Sequence, residues 1–476
     1  MAFIFESYNM KETKFVSIFI GLVFILLISF AFIFNGTGDS GDSIMHFLYA
    51  KYAFKNPDNF FNVWAKPLYV LLASPFAQLG FTGIKIFNSI NTTISMIATY
   101  LVAKRFNLKH AWLVPILLML APMNFALSLT GLTEPLFAGV LISGLCLLFY
   151  EYTIIGLVLL SFLPFVRSEG MFLLAIIAIY LIQQKKIKGI AWLFTGQIIY
   201  AIAGYFHFGS LFWFYHGNPY SIISKYGSGA LNTYFINLPL IAGPASCFLL
   251  ALGFVTIPII TLKERLKGNA PQLMLIWVLF TSYFFFHVIA WTFGLFDSLG
   301  MPRIIDGIMP LIILLCVYGF NQIEEFTKEK LGNTNNLFIY ASVLVISINS
   351  VYMIARYSGN IGTAGFDLKP STDELVENKM ADYIKQKYPD YKNLQLLYNA
   401  PYLSLALDID PVERPTKAAS STKLYIWDDW YSAQEGKTTL NMLQNDKTYI
   451  QDTVFTLANW NGNEKAIALF YSKESK

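Results

Sequence analysis

Residues 14–43 read KFVSIFIGLVFILLISFAFIFNGTGDSGDS: an apolar run followed at once by a turn that carries two carboxylates. About 20 largely apolar residues suffice to cross the hydrocarbon core of a bilayer as a helix. Backbone in lipid must hydrogen-bond to itself, so such a run is read as a helix. This one is too long and unbroken for a signal peptide, and no small-residue cleavage site follows it. Similar runs recur to about residue 355. The spans read from the sequence are 14–35, 83–103, 112–130, 133–150, 153–166, 169–183, 190–208, 237–261, 272–293, 304–320 and 337–355.

The composition agrees. Hydrophobic residues make up 55% of the 476 positions and charged residues 13%, against roughly a quarter charged in soluble domains. The net charge of +4 does not point to nucleic acid, because Lys and Arg sit in short clusters between apolar runs. Those clusters report orientation, since cytoplasmic loops are enriched in Lys and Arg. Lys11 and Lys14, then Lys104, Arg105 and Lys109, then Lys185, Lys186 and Lys188, then Lys263, Arg265 and Lys267, and finally Lys328 and Lys330 all fall on the N-terminal side with eleven spans. Cys146, Cys247 and Cys316 lie inside apolar stretches and offer neither a disulfide framework nor a metal spacing.

The fold class predicted is a polytopic α-helical membrane protein of about eleven transmembrane helices, N-terminus in and C-terminus out, with a small α/β soluble C-terminal domain. Residues 1–355 form the transmembrane part and 356–476 an exported domain. In the tail, 373–387 and 438–447 read as helices, and 394–398, 423–427 and 465–471 as strands. Two loops on the exported side, 36–82 and 209–236, are long enough to hold machinery. Within the first, Ile44, Phe47, Leu48 and Tyr52 recur at near-helical spacing, which predicts an amphipathic helix on the membrane surface. The stretch 67–80, broken by Pro75, is too short to span and reads as interfacial or re-entrant, hence as lining a cavity.

Ionisable residues near membrane depth are expensive and usually face a partner or a cavity. Asp39 and Asp42 stand at the outer boundary, and a helix there would put His46 on the same face as Asp42. The plain alternative is a turn and an N-cap. Glu134 opens a span after Thr133, where acidic residues suit a helix N-terminus in any case. Arg167 in Arg167-Ser168-Glu169-Gly170 has an internal pair with Glu169 or Glu134 as its structural reading. Arg303, in Met301-Pro302-Arg303, suits a lipid phosphate, or else pairs with Asp306 or snorkels. Lys51, Lys55 and Lys66 lie in the first loop, against the charge trend, and could hold a phosphate or anionic headgroups. His207, His216 and His287 show no ligand spacing.

These motifs together resemble the GT-C superfamily of polytopic glycosyltransferases, which includes protein O-mannosyltransferases, the aminoarabinose transferase of lipid A and oligosaccharyltransferases. Those enzymes carry an acidic motif after helix one; here that place is held by Gly41-Asp42-Ser43 with Asp39 ahead of it. Trp64-Ala65-Lys66-Pro67-Leu68-Tyr69, Thr133-Glu134-Pro135-Leu136-Phe137, Arg167-Ser168-Glu169-Gly170 and Met301-Pro302-Arg303 are similar to further family elements, in order along 1–355. The acidic pair departs from the contiguous Asp-Glu of several members, so the resemblance leaves open whether Asp42 or Asp39 is catalytic, and Ser168 replaces the usual Pro.

The resemblance implies a sugar donor on a polyprenyl phosphate and a hydroxyl acceptor on a glycan, lipid or protein. It implies Asp42 or Asp39 as general base, and His46, Lys66, Glu134, Arg167, Glu169 and Arg303 as substrate-binding residues. Inversion at the anomeric carbon is the family expectation. Some relatives use a divalent metal and others none, so no cofactor is fixed. Phe, Ile, Lys and Asn usage favours a bacterial inner membrane with a periplasmic C-terminal domain. A polysaccharide polymerase or ligase, or a lipid-linked glycan transporter, are the competing classes. The former places its basic residues in later loops, and the latter calls for internal repeats that the chain lacks.

Overall fold

The computed structural model describes residues 10–263, 267–331, 336–357, 368–412, 423–458 and 462–472. Arg265 and the start of the tail at 358–367 lie outside the described residues. Each apolar span of the sequence carries a helix. In chain order the first are α1 (Met10–Ile33), α2 (Asp42–Tyr52), α3 (Pro67–Ala77), α4 (Phe81–Arg105), α5 (Leu113–Leu120) and α6 (Pro122–Leu127). There follow α7 (Glu134–Phe149), α8 (Thr153–Leu160), α9 (Gly170–Gln183), α10 (Thr195–Phe208), α11 (Trp213–His216) and α12 (Thr233–Ala242). The membrane part closes with α13 (Pro244–Lys263), α14 (Ala270–Thr292), α15 (Met309–Leu331) and α16 (Asn336–Tyr357). Among the described residues six helical stretches are long and apolar enough to cross a bilayer.

Two spans differ from the sequence reading because proline has no amide hydrogen to donate. The 112–130 span breaks at Ala121, where extended backbone precedes Pro122 and separates α5 from α6. The 237–261 span breaks at Gly243, whose φ of +89° suits glycine and which stands against Ser350. Pro244 then opens α13.

The first loop also departs from expectation. α2 forms, but Ile44, Phe47 and Leu48 are buried within the protein core rather than laid on a lipid surface. Phe47 meets Phe81 at the start of α4 with ring centroids 5.4 Å apart. Nor does a side chain cap α2: its N-cap is Gly41, with no side-chain hydrogen bond there. In α3, Pro75 sits inside the helix without ending it.

In the tail, α17 (Thr372–Lys387) begins with a capping box in which Ser371 and Glu374 exchange hydrogen bonds. After it come β1 (Gln395–Leu397), α18 (Pro401–Ala406), β2 (Lys423–Asp428), α19 (Tyr431–Gln434), α20 (Leu440–Asn445), β3 (Tyr449–Ala458) and β4 (Glu464–Ser472). The sheet order is β1-β2-β4-β3, with β1 and β2 parallel and the other pairs antiparallel. β3, absent from the sequence reading, supplies the outer edge. Val376, Met380, Ile384, Leu396, Leu424 and Ile467 form a core of their own beneath the sheet.

Candidate active site

The acidic turn is held from below. Gly38 has φ +77°, and a Cβ there would lie 2.4 Å from Thr130 Cγ2, so only glycine brings the turn this close to the α6–α7 loop. Ser43 Oγ donates to Thr37 O at 2.8 Å and accepts from Gly131 N at 2.7 Å. Tyr69 of α3 donates to Gly131 O at 2.7 Å, and Asn88 of α4 donates to Thr130 O and Leu132 O. Asp39 Oδ1 accepts from Gly41 N at 2.6 Å, which closes the turn on itself.

Over this turn lies Arg303, carried by the 3-10 turn Pro302–Ile308 that leads into α15. Its Nη1 reaches Asp39 Oδ2 at 2.8 Å and its Nη2 bonds Asp42 Oδ2. The expected pair with Asp306 does not form. Asp306 is fully buried, with both carboxylate oxygens lacking a hydrogen-bond partner, while the guanidinium turns to the two aspartates. Beside it, Glu134 Oε1 lies 2.8 Å from Arg167 Nη1 and 3.9 Å from Arg303 Nε. Arg167 also bonds Glu169 at 3.0 Å and Thr133 Oγ1 at 3.2 Å, so both internal pairs read from the sequence are present. Cations and carboxylates thus alternate from Asp42 through Arg303, Glu134 and Arg167 to Glu169.

Lys66 joins the cluster instead of facing headgroups. Its φ of 69° is strained for a non-glycine residue, and it stands immediately before Pro67 at the start of α3. Its Nζ donates to Ser168 Oγ at 3.0 Å and lies 4.7 Å from the Tyr220 ring centroid. His46 is buried, stacked on Trp64 at 4.9 Å. Burial pushes it down to about 3, so it is neutral in the working range. Burial likewise lowers Lys66 to about 8.

The two aspartates are made unequal by their surroundings. Burial raises Asp39, and Arg303 only partly offsets that rise. Burial is the largest influence on Asp42 too, but Arg303, His46 and Arg167 together outweigh it and hold that carboxyl below its ordinary value. Asp42 is also the more open of the two, its side chain 43% exposed against 21%. Asp42 is therefore the carboxylate that is both ionised and reachable.

The structure brings together Asp39, Asp42, His46, Lys66, Glu134, Arg167, Glu169 and Arg303, pairs Lys51 instead with Asp408 of the tail, and adds residues assigned no role in the sequence. His287 on α14 lies 3.7 Å from Glu169, Tyr220 covers Lys66, and Tyr431 from the tail stands against Gly41. None carries a local motif; each is brought in from a distant element. A divalent metal does not fit these residues. The Arg303 guanidinium fills the space between Asp39 and Asp42. Among the described residues no three His, Cys, Asp or Glu side chains gather as a metal site.

Neither a family model nor a curated protein matches the chain in sequence. In fold it is similar to ArnT from Cupriavidus metallidurans in the apo state. That likeness has a TM-score of 0.63 at 10% identity, over 96% of this chain and 98% of that one. An Archaeoglobus fulgidus oligosaccharyltransferase tethered with an acceptor peptide aligns over 84% of this chain and 60% of that one at 11% identity; its TM-score of 0.48 is too low to carry an argument. The chain has an ArnT-like fold.

Proposed function

We propose that this chain is a glycosyltransferase that moves a sugar from a polyprenyl-phosphate donor to an acceptor hydroxyl on the exported face of a bacterial inner membrane, with its C-terminal domain in the periplasm. The observation that carries the reading is the ionised, half-open Asp42 beside buried Arg303 and Lys66, on an ArnT-like fold.

In this reading Asp42 takes the proton of the acceptor hydroxyl as its oxygen forms a bond to the anomeric carbon. The bond from that carbon to the phosphate oxygen breaks, and its electron pair leaves with the polyprenyl phosphate. Lys66 donates to a neutral hydroxyl, that of Ser168, under the Tyr220 ring, and among the described residues no carboxylate pairs with it, so its charge can turn to the phosphate. A fixed cation placed where negative charge develops lowers the barrier without reorganising solvent. Arg303 and Arg167 add fixed guanidinium groups to the cluster, and Glu134 and Glu169 hold them in place. Asp39, bonded to Arg303 and to its own turn, aims the guanidinium and leaves proton transfer to Asp42.

The test is transfer of radiolabelled sugar from polyprenyl-phosphate donors in membranes with matched protein levels. Asp42→Asn is expected to lose at least ~100-fold, the scale of a lost general base, and Asp39→Asn to lose less. If both variants transfer like wild type, the carboxylates only build the turn and a polymerase or transporter becomes the leading reading.

A further inference from the structure

Three contacts run from the tail to the acidic turn. Gly36 N donates to Leu368 O at 2.9 Å. Thr37 N donates to Glu374 Oε1 at 3.0 Å. The phenol of Tyr431 lies against Ser40 and Asp39, so close that a Cβ on Gly41 would sit 2.5 Å from its oxygen. The corner between β2 and α19 therefore stands directly over the catalytic turn.

That corner is rigid. Asp428 accepts from the backbone amides of Trp430 at 3.0 Å, Tyr431 and Ser432, and from the Ser432 hydroxyl at 2.7 Å. A carboxylate spent on its own loop fixes the two aromatics that follow. Tyr431 points down onto the turn, whereas Trp430 stays 52% exposed. Beside Trp430 is Asp429, its side chain 30% exposed, 3.9 Å from Lys465 Nζ and accepting from Ala466 N at 3.3 Å. Behind Tyr431 is Glu377, 3% exposed and with one carboxylate oxygen lacking a hydrogen-bond partner.

Building on the glycosyltransferase reading, we propose that the Asp428–Tyr431 corner is the acceptor subsite and that the acceptor is a saccharide. A pyranose presents an apolar C–H face and a rim of hydroxyls. One exposed indole beside the Asp429 carboxylate and the Lys465 ammonium matches that pair of surfaces: the ring takes the C–H face, Asp429 accepts from a hydroxyl and Lys465 donates to its neighbour. An acyl chain would call for a continuous apolar patch, and this corner offers one exposed aromatic beside an ion pair. Tyr431, which touches both the turn and the corner, sets the distance from bound acceptor to Asp42.

The experiment uses full-length protein in membranes with labelled polyprenyl-phosphate sugar, and follows two products: sugar on the acceptor and sugar released to water. The ratio of transfer to release is expected to fall ~10-fold or more in Trp430→Ala, the scale of truncating an aromatic anchor. Asp429→Asn and Tyr431→Phe are expected to lower the same ratio. Linkage analysis of the wild-type product is expected to find the label on a hydroxyl of another sugar. An unchanged ratio in Trp430→Ala and Asp429→Asn, or label on an amino-acid or lipid hydroxyl, overturns the proposal. A variant that loses both products in proportion also overturns it, since the corner would then only brace the turn. Wild type that yields neither product would remove the glycosyltransferase reading itself, a result distinct from a failed ratio.

Discussion

Glu134 joins the two arginines of the site. It is 1% exposed, and its carboxylate bonds Arg167 at 2.8 Å with Arg303 at 3.9 Å. Glu134→Gln keeps the volume and removes the charge shared by the two guanidinium groups, while Arg167 keeps Glu169 and Arg303 keeps Asp39 and Asp42. Losing one charge-assisted bond of this kind typically destabilises by about 1.5–3 kcal/mol. Thermal unfolding in detergent should show a lower midpoint; an unchanged one would mean that the remaining carboxylates compensate both cations. Lys66 carries a pH prediction. Its ammonium is lowered to about 8, so the charged form disappears as pH rises through that value. Sugar transfer should fall on the basic side of pH 8, and Lys66→Arg, which stays charged, should move that limb upward; an unmoved limb would assign it to another group. These charged residues were legible in the sequence because an ionisable group in an apolar chain is costly and so must have a use or a partner. Their pairing was less so. Asp39 and Arg303 are 264 positions apart, and Asp306, one turn from Arg303, was the nearer candidate on local spacing.

At the scale of elements, α2 is aimed by what lies beneath it. A Cβ on Gly131 would fall 2.3 Å from the backbone oxygen of Ser43, in the first turn of α2. Backbone cannot rotate away as a side-chain tip can, so Gly131→Ala should push the start of α2, and Asp42 with it, off its position. A loss of transfer of ~10-fold or more is expected, since a displacement near 1 Å can cost a hundredfold. Retained transfer would mean the turn is less constrained than this packing requires. α17 touches the same turn through Glu374. Thr37 Oγ1 has one hydrogen yet stands within bonding distance of both Asp39 O and Glu374 Oε1. A protonated Glu374 resolves this by donating to Thr37, whose hydroxyl then donates to Asp39 O. Burial raises Glu374 from 4.5 to about 7, against Thr37, Ser371 and Lys85, which favour the ionised form. A raised carboxyl stabilises the fold fully below its unfolded value and loses that contribution as pH rises through its folded one. The unfolding midpoint should therefore decline between about pH 4.5 and 7, and Glu374→Gln should flatten the decline. The helical period of α2 was legible in the sequence, but the cover on its apolar face was not. Ile44, Phe47 and Leu48 look the same whether lipid or protein buries them.

For the whole molecule, the two ends differ in chemistry. Asp42, Glu134, Arg167 and Arg303 all stand at turns on one side, and their mutual contacts require those ends to share a face. At the other end Lys104 pairs with Glu12, and Glu324 collects Lys109, His110 and Lys328. Lys104, Lys109 and Lys328, from clusters that suggested a cytoplasmic face in the sequence, thus stand at the end opposite the site. Losing or adding one crossing would separate these partners across a bilayer, so the contacts and the charge rule bear independently on the span count. Only the charge rule bears on direction, and that can be measured. Asp58→Cys lies in the first loop with a side chain 69% exposed at that position, and Lys186→Cys follows α9 at 44%. Cys146 and Cys316 are buried and Cys247 is partly covered, which keeps the native background low. With a membrane-impermeant maleimide, the position-58 cysteine should label in intact cells, and the position-186 cysteine only after the membrane is opened. The reverse pattern would put Asp42 and the tail on the cytoplasmic side, where the donor would have to be reached from the inner leaflet.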